Sequence, residues 1–114
     1  MCRAEDIARF FKDRGCLKSW RRWDIINLVQ SAAQQHTLVY TLRDQQLDSA
    51  VVGEFRGNKE LYIVAIASRT LGGFKRLVFR FTCIFPGYTL TAHRGDKFVK
   101  YNTEKLCKKI LNLK

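Results

Sequence analysis

The sequence predicts an α/β domain whose mixed sheet carries helices on both faces. Three observations predict it. Two segments of helical apolar spacing open the chain, and three β-rich runs joined by short polar turns follow. A glycine-bearing turn, an apolar helix and a further strand come after them, which is the pattern of a strand–helix–strand unit appended to an antiparallel meander. The chain has 114 residues, a single proline and no repeat or Ser/Gly-rich stretch, so residues 1–114 read as one domain.

The first helix is expected over 4–14. Ile7, Phe10 and Phe11 share one face at helical spacing, and Gly15 can stop it. The second is expected over 20–34, with Ser19 as candidate N-cap and Trp23, Ile26, Val29 and Ala33 as its apolar stripe. On that reading both tryptophans, Trp20 and Trp23, are core or helix-packing residues. Residues 37–43 are rich in β-formers, 44–46 make a turn, and 47–55 form a second strand closed by Arg56, Gly57 and Asn58. Residues 61–67 are the most apolar run in the chain and predict a central strand buried on both faces.

Past the glycines, Phe74, Leu77, Val78, Phe81, Ile84 and Phe85 recur at helical spacing, so 74–85 predicts a helix that Pro86 and Gly87 end. Residues 88–93 predict a strand. Residues 102–113 predict a basic amphipathic helix with Leu106, Ile110 and Leu113 turned inward. The stretch 95–101 fits two structures: the start of that helix, or a hairpin strand paired back through Arg94, Gly95 and Asp96.

Composition narrows the function classes. A hydrophobic fraction of 46% is enough for a core. No apolar run nears the roughly 18 residues of a membrane helix. The first residues turn acidic at once, without the apolar stretch of a secretion leader, so the expectation is a cytoplasmic protein with no membrane partner. Cys2, Cys16, Cys83 and Cys107, with His36 and His93, lack the short spacings of a zinc site. No metal is expected, and the cysteines read as reduced, partly buried thiols.

The net charge is +11, and it is concentrated. Residues 1–68 carry ten Lys and Arg against eight Asp and Glu, whereas residues 69–114 carry eleven against two. A single-sign field of that size selects an anionic partner: nucleic acid, an anionic cofactor or an acidic protein surface.

One constellation carries chemistry. A strand, a glycine turn and a helix N-terminus form an anion site, because first-turn N–H groups point outward and the helix dipole favours negative charge. Arg69, Lys75 and Arg76 add formal charge at that place. General acid–base work would need carboxylates or a phenol nearby. Glu54 and Glu60 flank the sheet as candidate bases, while His93 reads as a structural or surface residue at a strand end.

Residues 4–10, 38–53 and 61–68, the run Arg69-Thr70-Leu71-Gly72-Gly73-Phe74, and residues 88–93 together resemble the GNAT superfamily of coenzyme A-dependent N-acetyltransferases. They are similar, in order, to that family's acidic first helix, its second and third strands, its central fourth strand, its pyrophosphate loop and its fifth strand. The family loop reads Arg/Gln-x-x-Gly-x-Gly/Ala; this chain matches at Arg69 and Gly72 and departs at Phe74. The resemblance implies coenzyme A or acetyl-CoA as cofactor, held by Arg69, Leu71, Gly72, Gly73, Phe74, Lys75 and Arg76. It implies Tyr101 as general acid on the leaving thiolate, in the helix after the fifth strand. It also implies a compact member with only a stub of the first strand and without the final strands. Such a chain is similar in size to members that bacteriophages encode, which would act in the host cytoplasm or a virion.

The rival class is a basic binding protein. Arg94, Lys97, Lys100, Lys105, Lys108 and Lys109 form a candidate phosphate-contacting stripe, with Phe98 and Tyr101 interleaved as candidate base-stacking residues. An acidic protein surface would fit the same charge.

Overall fold

The computed structural model describes residues 3–94 and 97–111. The elements run α1 (Ala4–Asp13), α2 (Arg22–Gln34), β1 (Leu38–Arg43), β2 (Gln46–Gly57), β3 (Glu60–Ser68), α3 (Leu71–Ile84), β4 (Thr89–Arg94), β5 (Lys97–Asn102) and α4 (Thr103–Leu111). The five strands form one mixed sheet in the order β1-β2-β3-β4-β5. Neighbours are antiparallel except β3 and β4, which are parallel and joined by α3. None of the described helices is long and apolar enough to cross a membrane.

Helices cover both faces of the sheet. On one, Ile7, Phe10 and Phe11 of α1 and Ile25, Ile26 and Val29 of α2 pack on Ala50, Val52, Ala65 and Ala67. On the other, Leu77, Phe81 and Phe85 pack on Val51, Leu61 and Leu90, with Leu106 of α4 at the margin. The strand period of two sends alternate β2 residues to the two cores. α1 ends where Gly15 takes a φ of 81°, the left-handed conformation that glycine adopts without steric cost.

The β1–β2 hairpin closes through Asp44 and Gln45, both at positive φ (53° and 68°), the primed turn geometry that matches strand twist. Along β2–β3, Val52 pairs Ala65 while Gly53 pairs Ile63, so Val64 is an extra residue that bends β3. The consequence appears on its other side. β4 pairs with β3 only from Glu60–Thr89 to Ile63–Ala92, and beyond Ile63 the two parallel strands part.

Several expectations need correction. β3 is central, but it is not sealed from solvent: Ile66 is 39% exposed because β4 has already left its side. Trp23 is 69% exposed and Trp20 is also exposed. The buried stripe of α2 is Ile25, Ile26, Val29 and Ala32, which turns Trp23 and Ala33 outward. The N-cap of α2 is Arg21, with no side-chain cap, rather than Ser19. Cys83 is exposed on α3, although Cys16 is half-buried as expected. Of the stretch 95–101, the described part, 97–101, is strand: Lys97–Asn102 pairs antiparallel with β4. Tyr101 therefore lies on a strand, not in the helix that follows. The side chains of Arg94, Cys107 and Ile110, and residues Cys2, Gly95, Asp96 and Leu113, lie outside the described residues.

Candidate functional site

The turn after β3 is built around a carboxylate that the sequence reading missed. Asp48, on β2, has a side chain only 3% exposed. The Thr70 hydroxyl donates to it at 3.0 Å (Oδ2), and Arg76 Nη2 lies 2.9 Å from the same oxygen. Thr70 is the N-cap of α3, and its hydroxyl also accepts from the Gly73 N–H at 2.9 Å. The Arg69 N–H donates to the Asp48 carbonyl at 2.7 Å. Ser49 donates to the Gly73 carbonyl at 3.0 Å and is itself hydrogen-bonded to Thr41. A buried polar chain thus fixes the first turn of α3 onto β1 and β2.

This chain explains the second glycine. A Cβ at Gly73 would run into the Asp48 carboxylate, so only glycine lets the helix sit this close to β2. Gly72, by contrast, is exposed and has ordinary room around it. The signal available in the sequence was a lone Asp between Leu47 and the apolar run that starts at Ala50. A carboxylate in such a strand needs paired donors if it is buried.

The expected glycine loop is not a loop: α3 begins at Leu71 and not at 74, so six of the seven expected pyrophosphate residues lie within the helix and Arg69 just before it, in different roles. Arg69 is exposed, with its guanidinium 5.7 Å from the centre of the Phe10 ring. The charge of Arg76 is met by Asp48. Leu71 and Gly72 are exposed and Lys75 is half-buried. Phe74 turns down to line an apolar cavity instead of covering the loop.

That cavity has a volume of about 440 Å³ and opens where β3 and β4 part. Ile63 and Ile66 of β3, Ala92 of β4, Phe74 and Leu77 of α3, and Leu106 of α4 contribute to its wall. Tyr101 lines it too, opposite Leu90 on β4. No carboxylate is among its lining residues.

The three catalytic candidates are divided between the two sheet faces. Tyr101 pairs with Leu90 and shares the α3 face with Leu61. Glu54 pairs with Tyr62 and is exposed, 3.3 Å from Arg56. Glu60 lines a groove on that same Tyr62 face with Arg56, His93 and Lys100. The sheet separates both glutamates from the tyrosine.

The basic candidates are divided as well. Lys105, Lys108 and Lys109 are exposed on α4, which packs on the α3 side, and Lys109 reaches the cavity rim. Lys100 and Phe98 share the opposite face of β5, where Phe98 pairs with His93 and Lys100 with Thr91. Strand alternation separates Phe98 from Tyr101. Lys97 is exposed at the start of β5 and pairs with Arg94 at the end of β4.

Compared with known protein families and with curated proteins, the chain gives no match.

Proposed function

We propose that this chain is a GNAT-like domain that binds an acyl-coenzyme A. The observation that carries the reading is the parting of the parallel strands β3 and β4 after Ile63 and Ala92, with an apolar cavity in the gap. Ligand crevices of open α/β sheets lie outside the carboxyl ends of the strands, the end at which β3 and β4 part. The size and apolar wall suit the acyl and thioethanolamine end of such a molecule. The amide-bearing arm would lie along the β3 edge beyond Ile63. The pyrophosphate would meet the Leu71 and Gly72 N–H groups at the start of α3 together with Arg69, since the Gly73 N–H is taken by Thr70.

When bound, coenzyme A supplies a thioester, whose leaving group is a thiolate. Tyr101 would hold the proton for that sulfur, since its ring lines the cavity. Glu54 and Glu60 sit on the other face, so the reading is of acyl-CoA binding, with N-acyl transfer to an amine requiring that the amine arrive unprotonated.

Thermal denaturation with coenzyme A and acetyl-CoA tests it. Binding to the folded state raises the melting temperature as ligand concentration passes the dissociation constant. Ala92→Phe, which fills the gap, and Arg69→Ala, which removes the exposed guanidinium, should each diminish that rise. An unchanged melting temperature at millimolar ligand overturns the proposal.

A further inference from the structure

The sheet face opposite that cavity is only half covered. α1 and α2 pack over β1, β2 and the second half of β3, and leave the first half of β3, with β4 and β5, bare of helix. On this bare face three aromatic rings stand on three successive strands: Tyr62 on β3, His93 on β4 and Phe98 on β5. Tyr62 and Phe98 stack with planes 8° apart and centroids 6.1 Å apart. His93 stands edge-on to both, at 5.8 Å and 5.1 Å. Phe98 is 53% exposed, too much for a ring whose purpose is to fill a core.

Cations frame the rings. The Arg56 guanidinium lies 4.7 Å from the Tyr62 ring centre, and Lys100 lines the same groove. Among the described residues Glu60 is the one carboxylate lining it, and the Glu54 carboxylate is paired with Arg56. The groove continues past Arg56 and Tyr62 to the exposed ring of Trp20. Flat, solvent-facing rings interleaved with cations, in a chain of net charge +11, match a polymer that offers flat bases on an anionic backbone.

We infer that this face binds single-stranded nucleic acid, with one base stacked on Phe98, a neighbour held in the groove toward Trp20, and phosphates met by Lys100 and Arg56. A duplex keeps its bases stacked inside and cannot offer them to Phe98. An acidic protein surface would meet the cations but has no systematic use for the rings. The inference does not rest on acyl-CoA binding: Phe98 and Lys100 lie on the sheet face opposite the cavity, and His93, near the end of β4, is the groove residue that also lines the cavity.

The test is fluorescence anisotropy of the full chain with a labelled oligo(dT) across a salt series. Phe98→Ala should weaken binding about 5- to 150-fold at fixed salt, the cost of one lost base stack. It should leave the slope of log affinity against log salt unchanged, because no phosphate contact is lost. Lys100→Gln should flatten that slope by roughly 0.7, one single-strand phosphate contact. Both substitutions are at exposed positions, so melting temperatures should hold near wild type and report that the fold is intact. Phe98→Tyr, which keeps a flat ring, should retain affinity. Equal affinity for the wild type and Phe98→Ala, equal affinity for duplex and single strand, or no binding at low salt would each overturn the inference.

Discussion

Arg76 reaches from α3 to Asp48 on β2, and the two meet at 2.9 Å with the carboxylate buried and the guanidinium half in water. Asp48 is the acceptor for Thr70 as well, so removing it unties the N-cap and the arginine together. Asp48→Ala should destabilise the fold by about 2–3 kcal/mol, the scale of hydrogen bonds to a buried charge. Urea denaturation of the variant measures it.

Gly73 supplies a sharper test of the same junction. Gly73→Ala forces a methyl into the Asp48 carboxylate and should cost about 2 kcal/mol or more, although alanine is the better helix former. In an Asp48→Ala background that obstacle is gone. The penalty should then shrink or change sign, giving a coupling of about 1–3 kcal/mol in a double-mutant cycle. Additive effects would mean that the close approach does not govern this position.

Much of the fold was legible in residue periodicity. The helical spacing of Ile7, Phe10 and Phe11 located α1, and the β-rich runs located the meander with a shift of a residue or two at their ends. What remained hidden depended on tertiary geometry. The stripe of α2 was read about one residue out of phase, because Trp23 and Ala33 are as apolar as the residues that face the core. Nothing local marks Val64 as a bulge, so the parting of β3 from β4 and the exposure of Ile66 could not be anticipated. The sequence grouped Phe98 with Tyr101, yet a strand places residues three apart on opposite faces. Within 95–101, whose residues fit a helix start as well as a strand, the described part is decided by its pairing with β4.

The β1–β2 turn carries a residue type that its geometry disfavours. Gln45 holds a φ of 68° without the freedom of glycine. Gln45→Gly should stabilise the hairpin by up to about 1 kcal/mol, because a left-handed non-glycine residue bears a steric cost of that order. A higher urea midpoint at unchanged slope would register it.

The two described free thiols should differ in reactivity. Burial pushes the Cys16 thiol up from its ordinary range, with the neighbouring Arg14 guanidinium offsetting part of the rise. Less thiolate forms at any given pH below that raised value, and the Sγ is further engaged with the Ile66 carbonyl at 3.5 Å. Exposed Cys83 should therefore alkylate with iodoacetamide well before Cys16 near pH 8, as peptide mass spectrometry can follow. Equal rates would show that the contact of Cys16 with Ile66 opens readily.

The α4 lysines make a counterpart to the sheet-face inference. Replacing Lys105, Lys108 and Lys109 with Gln should leave the oligo(dT) salt slope within about half a unit of wild type, since α4 packs on the other side of the sheet. A fall of about two units would move the phosphate track from β5 to α4. The fold should survive the triple change, because the three lysines are exposed while Leu106 packs on the core.

The short register between β3 and β4, from Glu60–Thr89 to Ile63–Ala92, should also divide the molecule into cooperative units of unequal strength. The meander with α1 and α2 forms one unit, and β4, β5 and α4 form another, joined to the first by this brief seam and by α3. Native-state hydrogen exchange should therefore release the amides of Leu90 and Tyr101 through a sub-global opening, at lower free energy than those of Ala50 and Val52. The seam and the apolar cavity coincide, so an opening of the seam should also widen the cavity. A ligand seated there would slow exchange along the whole of β4 and β5, far beyond the residues it touches.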